Sequence, residues 1–328
     1  MKFISDKNLR KWLESLMGIG SLIAPIDLGP GLTLFSQIRD PGDVNLEYET
    51  TPIPPKDLFF PSSEALFRFS PSRGYEIPEI DGEAFLLGIR PCDALGIRLM
   101  DFPFLSEPAD PRYERRRRRT TLIGLGCIKA RPECFCTSFG IGPFDASNAD
   151  AFLIPVKGGF LAEARTEKGA KALAAAELEE ASIPIPKPPE VPSIDVGAVR
   201  EVALSLFNSP YWERLADRCL SCKLCAYVCP SCYCFDIRDY PIRDGAERIR
   251  SWDSCQSPLF SRQASGYDPR QTKASRLRNR FYHKFSYFPG EFGAFGCTGC
   301  GRCVRYCPVN IDVREVLLAI LRGEAKVA

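Results

Sequence analysis

The spacing of apolar and polar residues changes between helical and strand periods along the first half of the chain. Segment 1–20 predicts an amphipathic helix, because its apolar residues recur at helical spacing: Leu9, Trp12, Leu13, Leu16 and Met17. The apolar runs EAFLLGI (83–89) and TTLIGLG (120–126) predict buried strands, and DALGIRLMD between them predicts a helix. This order of strand, helix and strand is typical of an α/β-type domain.

The chain then passes through a hairpin and a helix into a proline-rich stretch. Residues 151–166 predict a hairpin around two central glycines, and the alanine-rich segment 167–181 predicts a helix. The stretch SIPIPKPPEVPS holds five prolines in twelve residues, so we expect an extended, semi-rigid linker over residues 182–194. Residues 195–218 predict further helix and lead directly into a series of cysteines.

These elements predict an α+β protein of two domains. The first, residues 1–181, is an α/β-type domain, and the second, residues 195–328, is mainly helical. The length of 328 residues agrees with this division, since domains usually run to about 100–200 residues.

Charge and hydropathy restrict the class of function. The formal net charge is +2 and 45% of the residues are apolar, so neither a nucleic-acid partner nor general disorder is expected. The N-terminal segment carries charges where a signal peptide needs an apolar core, and no stretch approaches the roughly 20 apolar residues of a membrane span. We therefore expect a cytoplasmic protein with no membrane span.

Fifteen cysteines indicate metal or redox chemistry, because structural disulfides do not persist in a reducing compartment. Eight of them form two copies of the pattern Cx2Cx2Cx3CP, the spacing of bacterial two-cluster ferredoxins. Three cysteines of each copy reach one 4Fe-4S cluster, and the fourth, turned away by the proline, binds the other cluster. The predicted ligand sets are Cys219, Cys222, Cys225 with Cys307, and Cys297, Cys300, Cys303 with Cys229.

A zinc site is the alternative for closely spaced cysteines. Tetrahedral zinc uses two CxxC pairs and needs no third cysteine at the same interval, whereas here the triplet occurs twice. The repeat therefore favours iron–sulfur clusters. Residues Val313 to Leu321 agree with this, because they predict an apolar helix that packs on a cluster and excludes water.

A long insert, residues 230–296, separates the two motifs. It is rich in Phe and Tyr, is basic over 231–296, with eleven Lys and Arg against seven Asp and Glu, and contains three cysteines: Cys232, Cys234 and Cys255. Three thiols are one short of a full ligand set, which favours buried apolar cysteines. A further cluster completed by a ligand other than cysteine stays open.

Four cysteines remain in the first domain: Cys92, Cys127, Cys134 and Cys136. Four thiolates are what a 4Fe-4S cluster requires, and the first two follow predicted strands at the sheet edge where α/β proteins bind ligands. The spacing alone leaves three interpretations open, namely a third 4Fe-4S cluster, a zinc site and four unconnected thiols.

Several segments together resemble a known family of iron–sulfur subunits. The segments GIRPCDALGIRLMD, CFCTSFGIGP, CLSCKLCAYVCPSCYCFD, RIRSWDSC and CTGCGRCVRYCPVNID are similar to those of the family that includes the sulfhydrogenase beta subunit, together with the iron–sulfur subunit of anaerobic sulfite reductase. The resemblance covers roughly residues 83–320 and leaves the role of residues 1–80 open. It raises the expectation of a third cluster in the first domain.

The resemblance implies an electron-transfer subunit rather than a complete enzyme. In that family the subunit lies beside a flavoprotein that binds FAD and NAD(P)H, and it relays electrons to or from a catalytic reductase or hydrogenase subunit, also in complexes of the heterodisulfide-reductase type. The chain itself shows no GxGxxG dinucleotide motif, so FAD and NAD(P)H are expected only in the partner. The alternatives are a self-contained iron–sulfur reductase with its own substrate site, and a zinc-binding interaction module.

Two further features carry no assigned chemistry. Arg112 and the run Arg115 to Arg119 form the strongest charge block. Such a block is usually a solvated face, and the alternatives are docking to an acidic partner and contact with nucleotide phosphates. The single histidine, His283, is interpreted as a packed or surface residue. We expect no catalytic residue in this chain.

Overall fold

A computed structural model describes residues 1–180 and 182–326 of the chain. The described protein divides into two compact units whose boundaries are discontinuous in sequence. Unit 1 comprises Met1–Pro55, Asp81–Ser193 and Thr298–Cys300, and unit 2 comprises Lys56–Ile80, Ile194–Cys297 and Gly301–Ala328.

Twelve strands are present in the described residues. They are β1 (Lys2–Ser5), β2 (Ser21–Asp27), β3 (Thr33–Gln37), β4 (Ser63–Ser70), β5 (Gly74–Glu76), β6 (Ala84–Ile89), β7 (Thr120–Leu125), β8 (Ala151–Val156), β9 (Gly159–Ala164), β10 (Glu179–Glu180), β11 (Phe235–Ile242) and β12 (Gly245–Trp252).

Eleven α-helices are present in the same residues. They are α1 (Asp6–Ile19), α2 (Pro91–Leu105), α3 (Pro111–Arg119), α4 (Glu167–Ala174), α5 (Val199–Ser205), α6 (Tyr211–Arg218), α7 (Leu224–Tyr227), α8 (Lys273–Tyr282), α9 (Phe288–Phe292), α10 (Arg302–Arg305) and α11 (Val313–Leu321).

Unit 1 is built on one mixed sheet of eight strands in the order β10-β1-β9-β8-β7-β6-β2-β3. The pairs β2–β6, β6–β7 and β7–β8 are parallel, whereas β2–β3 and β8–β9 are antiparallel. Because the central strands are parallel, the loops after β6 and β7 leave the sheet at the same edge. That edge places Cys92 and Cys127 close to each other along the sheet.

Helices α1 and α4 cover one face of this sheet. Trp12 and Leu16 of α1 are fully buried, in one apolar core with Leu173 of α4 and with Ile123 and Leu153 of the strands. The indole N–H of Trp12 donates to the carbonyl oxygen of Ala172 at 2.8 Å. A buried indole needs such a partner, so this bond fixes α1 on α4.

Unit 2 contains a four-stranded antiparallel sheet in the order β11-β12-β4-β5. Strand β4 pairs with β12 from Ala246↔Phe69 to Ser251↔Ser63. This pairing explains why residues 56–80, which the sequence predicts to lie in the N-terminal domain, belong to unit 2.

The helices of unit 2 pack around Trp212 of α6. Its ring lies 5.7 Å from that of Phe281 and 5.6 Å from that of Tyr282, both on α8. Helix α8 continues into a π-helical turn, His283–Tyr287, and then into α9. A π-turn re-aims the side chains that follow it, and in this segment it carries the buried Lys284.

The α+β fold class predicted from the sequence is confirmed, and so are its main elements. The segment predicted as one helix over 195–218 forms α5 and α6, which are separated at Pro210 by residues that no longer hold the helical hydrogen-bond pattern. The helix predicted over 167–181 ends at Ala174, and its last residue, Ala181, lies outside the described residues. The insert 230–296 contains the hairpin of β11 and β12 as well as helices.

Candidate metal centres

The two ferredoxin-type motifs share one backbone conformation. The residues on either side of the second cysteine have positive φ in both copies: Ser221 (53°) and Lys223 (69°) beside Cys222, and Gly299 (65°) and Gly301 (74°) beside Cys300. Positive φ at non-glycine residues is uncommon, so its recurrence at equivalent positions reflects a required loop shape. The two motifs therefore share the backbone conformation of their CxxC loops.

Each loop runs into a single turn of helix, α7 in the first copy and α10 in the second. Backbone N–H groups point at cysteine sulfurs in this module. The amide of Ser221 donates to Cys219 Sγ at 3.3 Å, and the amide of Ile311 donates to Cys307 Sγ at 3.2 Å. Hydrogen bonds of this kind to cysteine sulfurs are typical of iron–sulfur sites.

Cys225 lies deepest in the first triplet. Burial raises the pKa of its thiol to about 11 and the Arg280 guanidinium lowers it, while the sulfurs of Cys255, Cys219 and Cys222 also raise it. Cys219 and Cys222 therefore lie near the Cys225 sulfur, although the Cys222 side chain is exposed. Arg280 also donates to the Cys225 carbonyl oxygen.

Cys229 lies beside the start of the second motif. Its sulfur is 3.4 Å from Ser231 Oγ, and that hydroxyl donates to the Gly296 carbonyl oxygen at 2.8 Å. Lys284 donates to the same carbonyl at 2.6 Å and faces both Cys229 and Cys297. The fourth cysteine of one copy is thus placed near the first cysteine of the other.

Unit 1 brings all four remaining N-terminal cysteines into one pocket. Cys92 lies in the first turn of α2, Cys127 follows β7, Cys134 lies in the loop that follows, and Cys136 begins a 3-10 helical turn, Cys136–Phe139. The pocket lining includes all four sulfur-bearing residues and also Cys300. Burial, together with the sulfurs of Cys127 and Cys134, raises the pKa of Cys136 to about 12.

Arg90 provides a positive charge in the same pocket, the first-unit pocket. It is 4% exposed, its Nη1 donates to the Gly126 carbonyl oxygen at 2.6 Å, and its guanidinium lies over the Tyr48 ring at 4.3 Å. Its Nε is buried and has no hydrogen-bond partner within the described part of the chain. A buried donor without a partner is costly, and cluster sulfides or thiolates are acceptors that would satisfy it. The four cysteine thiols and the positive charge of Arg90 therefore fit a negatively charged iron–sulfur cluster.

A site for a single metal ion requires several ligand side chains close to one point. Among residues 1–180 and 182–326, no three His, Cys, Asp or Glu side chains converge closely enough to hold a single ion. A cubane does not require such convergence, because each thiolate binds a different iron.

The basic residues of α3 are engaged in ion pairs with nearby carboxylates. Arg117 pairs with Asp101 at 3.0 Å, and Arg115 pairs with Asp81 at 2.9 Å. These contacts anchor the helix within unit 1.

His283 accepts or donates a hydrogen bond with the Tyr233 hydroxyl at 3.2 Å, and burial lowers its pKa to about 4.

Several residues that the structure places at the cysteines have no role that the sequence predicts. They are Lys56, Arg90, Arg280, Lys284 and Gly299. Gly299 had a local signal, because it lies inside a CxxC loop. The four cations had no local signal in the sequence, because only long-range packing brings them to the sulfurs.

Comparison with known proteins first defines the class of this chain. Residues 218–311 match the family described as a 4Fe-4S dicluster domain. The chain is therefore an iron–sulfur protein with two 4Fe-4S clusters in its C-terminal region, as the motif spacing predicts.

An alignment over most of the chain then identifies its family. The chain is 32% identical over 308 residues to sulfhydrogenase 2 subunit beta of Pyrococcus furiosus, an alignment that covers 88% of this chain and 89% of that protein. The chain belongs to the sulfhydrogenase beta subunit family, and the predicted resemblance is confirmed. No solved structure matches the chain. No helix among the described residues is long and apolar enough to cross a membrane.

Proposed function

We propose that this chain is the electron-relay subunit of a cytoplasmic oxidoreductase complex. It receives or delivers single electrons at a partner subunit that binds FAD and NAD(P)H, and exchanges them with a catalytic subunit of the sulfite or sulfur reductase, hydrogenase or heterodisulfide-reductase type. The observation that carries this proposal is the duplicated loop, with positive φ at Ser221 and Lys223 and at Gly299 and Gly301. The relative is itself named as a subunit, which supports a multi-subunit setting.

The ligand sets follow the ferredoxin rule that the fourth cysteine crosses to the other cluster. Cys219, Cys222, Cys225 and Cys307 hold one cluster, and Cys229, Cys297, Cys300 and Cys303 hold the other. The shared environment of Cys229 and Cys297 beside Lys284 supports this crossing. When bound, these clusters would carry single electrons.

A third 4Fe-4S cluster is held by Cys92, Cys127, Cys134 and Cys136 in the first-unit pocket. The support is the common lining of that pocket by the four cysteines and by Arg90. Arg90 lines the same pocket and would stabilise the negative charge of such a cluster. Cys300, which belongs to unit 1, lines the same pocket.

The other residues of the chain hold, insulate and tune the clusters. Amides of Ser221 and Ile311 donate to cysteine sulfurs. Such hydrogen bonds stabilise the more negatively charged, reduced state of a cluster. Buried apolar residues of α11, including Val316 and Leu317, exclude water from the C-terminal module. No general acid, base or nucleophile is required of this chain.

The test is anaerobic purification of the protein with its natural partners. We expect brown protein with about twelve irons per chain from these three sites, a visible band that dithionite bleaches, and a co-purifying flavoprotein. About eight irons would remove the first-unit cluster and keep the ferredoxin-type module. Colourless, iron-free protein would overturn the relay function. Isolated chain that retains a flavin and oxidises NAD(P)H alone would instead support a self-contained reductase.

A further inference from the structure

Lys284 is a cation buried inside unit 2. It lies in the π-helical turn His283–Tyr287, between α8 and α9, and is 7% exposed. Single π-helical turns occur frequently at functional sites. Burying an ammonium group costs several kcal/mol unless neighbouring groups compensate its charge. The partners of Lys284 therefore indicate what its position serves.

Lys284 binds the backbone of Gly296, the residue directly before Cys297. The Gly296 N–H donates to the Lys284 carbonyl oxygen at 2.8 Å, and the Gly296 carbonyl oxygen accepts from Lys284 Nζ at 2.6 Å. The N–H and the carbonyl of Gly296 are thus both bonded to one lysine. A Cβ on Gly296 would lie 3.2 Å from Lys284 Cα, so the two residues approach closely. These contacts fix the start of the second ferredoxin-type motif to the π-helical turn.

Ser231 connects Lys284 with Cys229. Lys284 Nζ donates to Ser231 Oγ at 3.1 Å, and that oxygen lies 3.4 Å from Cys229 Sγ. The Ser231 hydroxyl donates in turn to the Gly296 carbonyl oxygen at 2.8 Å. The ammonium, the hydroxyl and the carbonyl therefore form one hydrogen-bonded group. It lies between Cys229, the fourth cysteine of the first motif, and Cys297, the first cysteine of the second.

Lys284 pairs with no carboxylate among residues 1–180 and 182–326. Its hydrogen-bond acceptors there, the Ser231 hydroxyl and the Gly296 carbonyl, are both uncharged. Its Nζ lies no farther from Cys229 Sγ than the sum of the two distances through Ser231, and charges this close interact strongly in a buried site. A cysteine that binds a metal does so as a thiolate. The Cys229 thiolate therefore provides the negative charge that Lys284 otherwise lacks.

We propose that Lys284 positions and tunes the cluster bound by Cys229, Cys297, Cys300 and Cys303, a proposal that rests on the ligand sets of the proposed function. Its hydrogen bonds keep Cys229 beside the second motif. Its positive charge stabilises the reduced state of that cluster, which carries one more negative charge than the oxidised state. The midpoint potential of this cluster is therefore higher with Lys284 than without it.

A redox titration followed by EPR tests the tuning role. Lys284→Met removes the charge but keeps an unbranched side chain, and one midpoint of the ferredoxin-type module should move to more negative potential. At a fixed potential the ratio of reduced to oxidised cluster should fall about tenfold, which corresponds to about 59 mV for one electron. Lys284→Arg should keep the midpoint close to that of the unmodified protein, because the charge remains. Unchanged midpoints in Lys284→Met would overturn the proposal.

Two control variants separate the charge from a local disturbance. Arg278→Met removes a cation of α8 whose hydrogen bond goes to the Phe207 carbonyl oxygen at 2.8 Å, and it should leave the midpoints unchanged. Ser231→Ala keeps the lysine charge but removes the hydroxyl between Lys284 and Cys229, and it should shift the midpoint less than Lys284→Met does. Equal shifts in these last two variants would show that the hydrogen bonds and not the charge set the potential, which would overturn the tuning role.

Iron content distinguishes failure of this inference from failure of the proposed function. The proposed function requires at least about eight irons per chain in the unmodified protein, and their absence would reject it. With these irons present and the midpoints of Lys284→Met unchanged, only the role of Lys284 is rejected. If Lys284→Met binds no iron at the module, Lys284→Arg decides. Iron binding with an unchanged midpoint in Lys284→Arg supports the need for a positive charge, and loss of iron in both variants overturns the tuning role.

Discussion

The backbone N–H of Phe135 donates a hydrogen bond to the carbonyl oxygen of Gly299 at 2.9 Å. Gly299 lies within the second ferredoxin-type motif, and Phe135 lies between Cys134 and Cys136 in the loop that lines the first-unit pocket. The bond brings two cysteine-bearing loops together inside unit 1, although 164 positions separate them in the sequence. It explains why Cys300 shares a pocket with the N-terminal cysteines.

Gly299→Ala should destabilise this contact strongly. A Cβ at Gly299 would lie 2.5 Å from Cys136 Cα and 2.5 Å from the Phe135 carbonyl oxygen, and φ is +65°. We expect a loss of about 3 kcal/mol from steric overlap with backbone together with left-handed strain. Urea denaturation under anaerobic conditions measures it.

Gly140→Ala is the matched control for that variant. Gly140 has φ +75°, and a Cβ there would meet nothing within 4 Å. It should therefore show only the strain, about 1 kcal/mol. Equal losses of stability in the two variants would show that the close approach of Gly299 to the Cys136 loop does not matter.

Cys92→Ala should remove the first-unit cluster and spare the C-terminal module. The variant should lose about four irons per chain, because a cluster with three protein thiolates in a partly open pocket is labile. The EPR signals of the ferredoxin-type module should persist. Iron content equal to that of the unmodified protein would reject Cys92 as a ligand.

Glu64→Gln should destabilise the sheet that positions Lys56. Glu64 and Arg250 form an ion pair between β4 and β12 with side chains only 5% and 3% exposed. Removing the carboxylate leaves the guanidinium buried without its counter-charge, which typically costs about 3–5 kcal/mol. Glu247→Gln breaks the more exposed pair with Arg68 on the same sheet and should cost less than about 1 kcal/mol. Similar losses in both variants, measured by urea denaturation, would contradict this account.

Tyr113 should make the protein less stable at alkaline pH. Burial, together with the nearby Asp101 carboxylate, raises the pKa of its phenol well above the ordinary value, and the hydroxyl donates to Asp101 at 2.8 Å. Above about pH 10 the unfolded chain loses the phenol proton while the folded protein keeps it, so the free energy of unfolding falls as pH rises. The contribution lost between pH 9 and pH 10.5 is about 0.8 kcal/mol.

The comparison with Tyr113→Phe isolates this effect. The variant lacks the hydroxyl and should cost about 1–2 kcal/mol near neutral pH, where the bond to Asp101 is intact. It should then lose less stability than the unmodified protein between pH 9 and pH 10.5. Parallel pH profiles for the two proteins would exclude the phenol as the titrating group.

The sequence determined the features that depend on short stretches of chain. The ferredoxin-type spacing predicted the dicluster domain, and a match over residues 218–311 confirmed it, because a loop of seven residues fixes by itself how three cysteines turn toward one centre. The apolar runs of β6 and β7 and the helix between them were readable for the same reason, since each has a clear period.

Only the tertiary structure decided which distant charges meet the cysteines. Lys56 reaches Cys232 because β4 pairs with β12 across the insert, and Arg90 reaches the first-unit pocket because α2 begins at the edge of a parallel sheet. The pattern around Lys56 or Arg90 in the sequence gives no sign of these contacts. Strand pairing and burial set them, and both depend on residues far away in the chain.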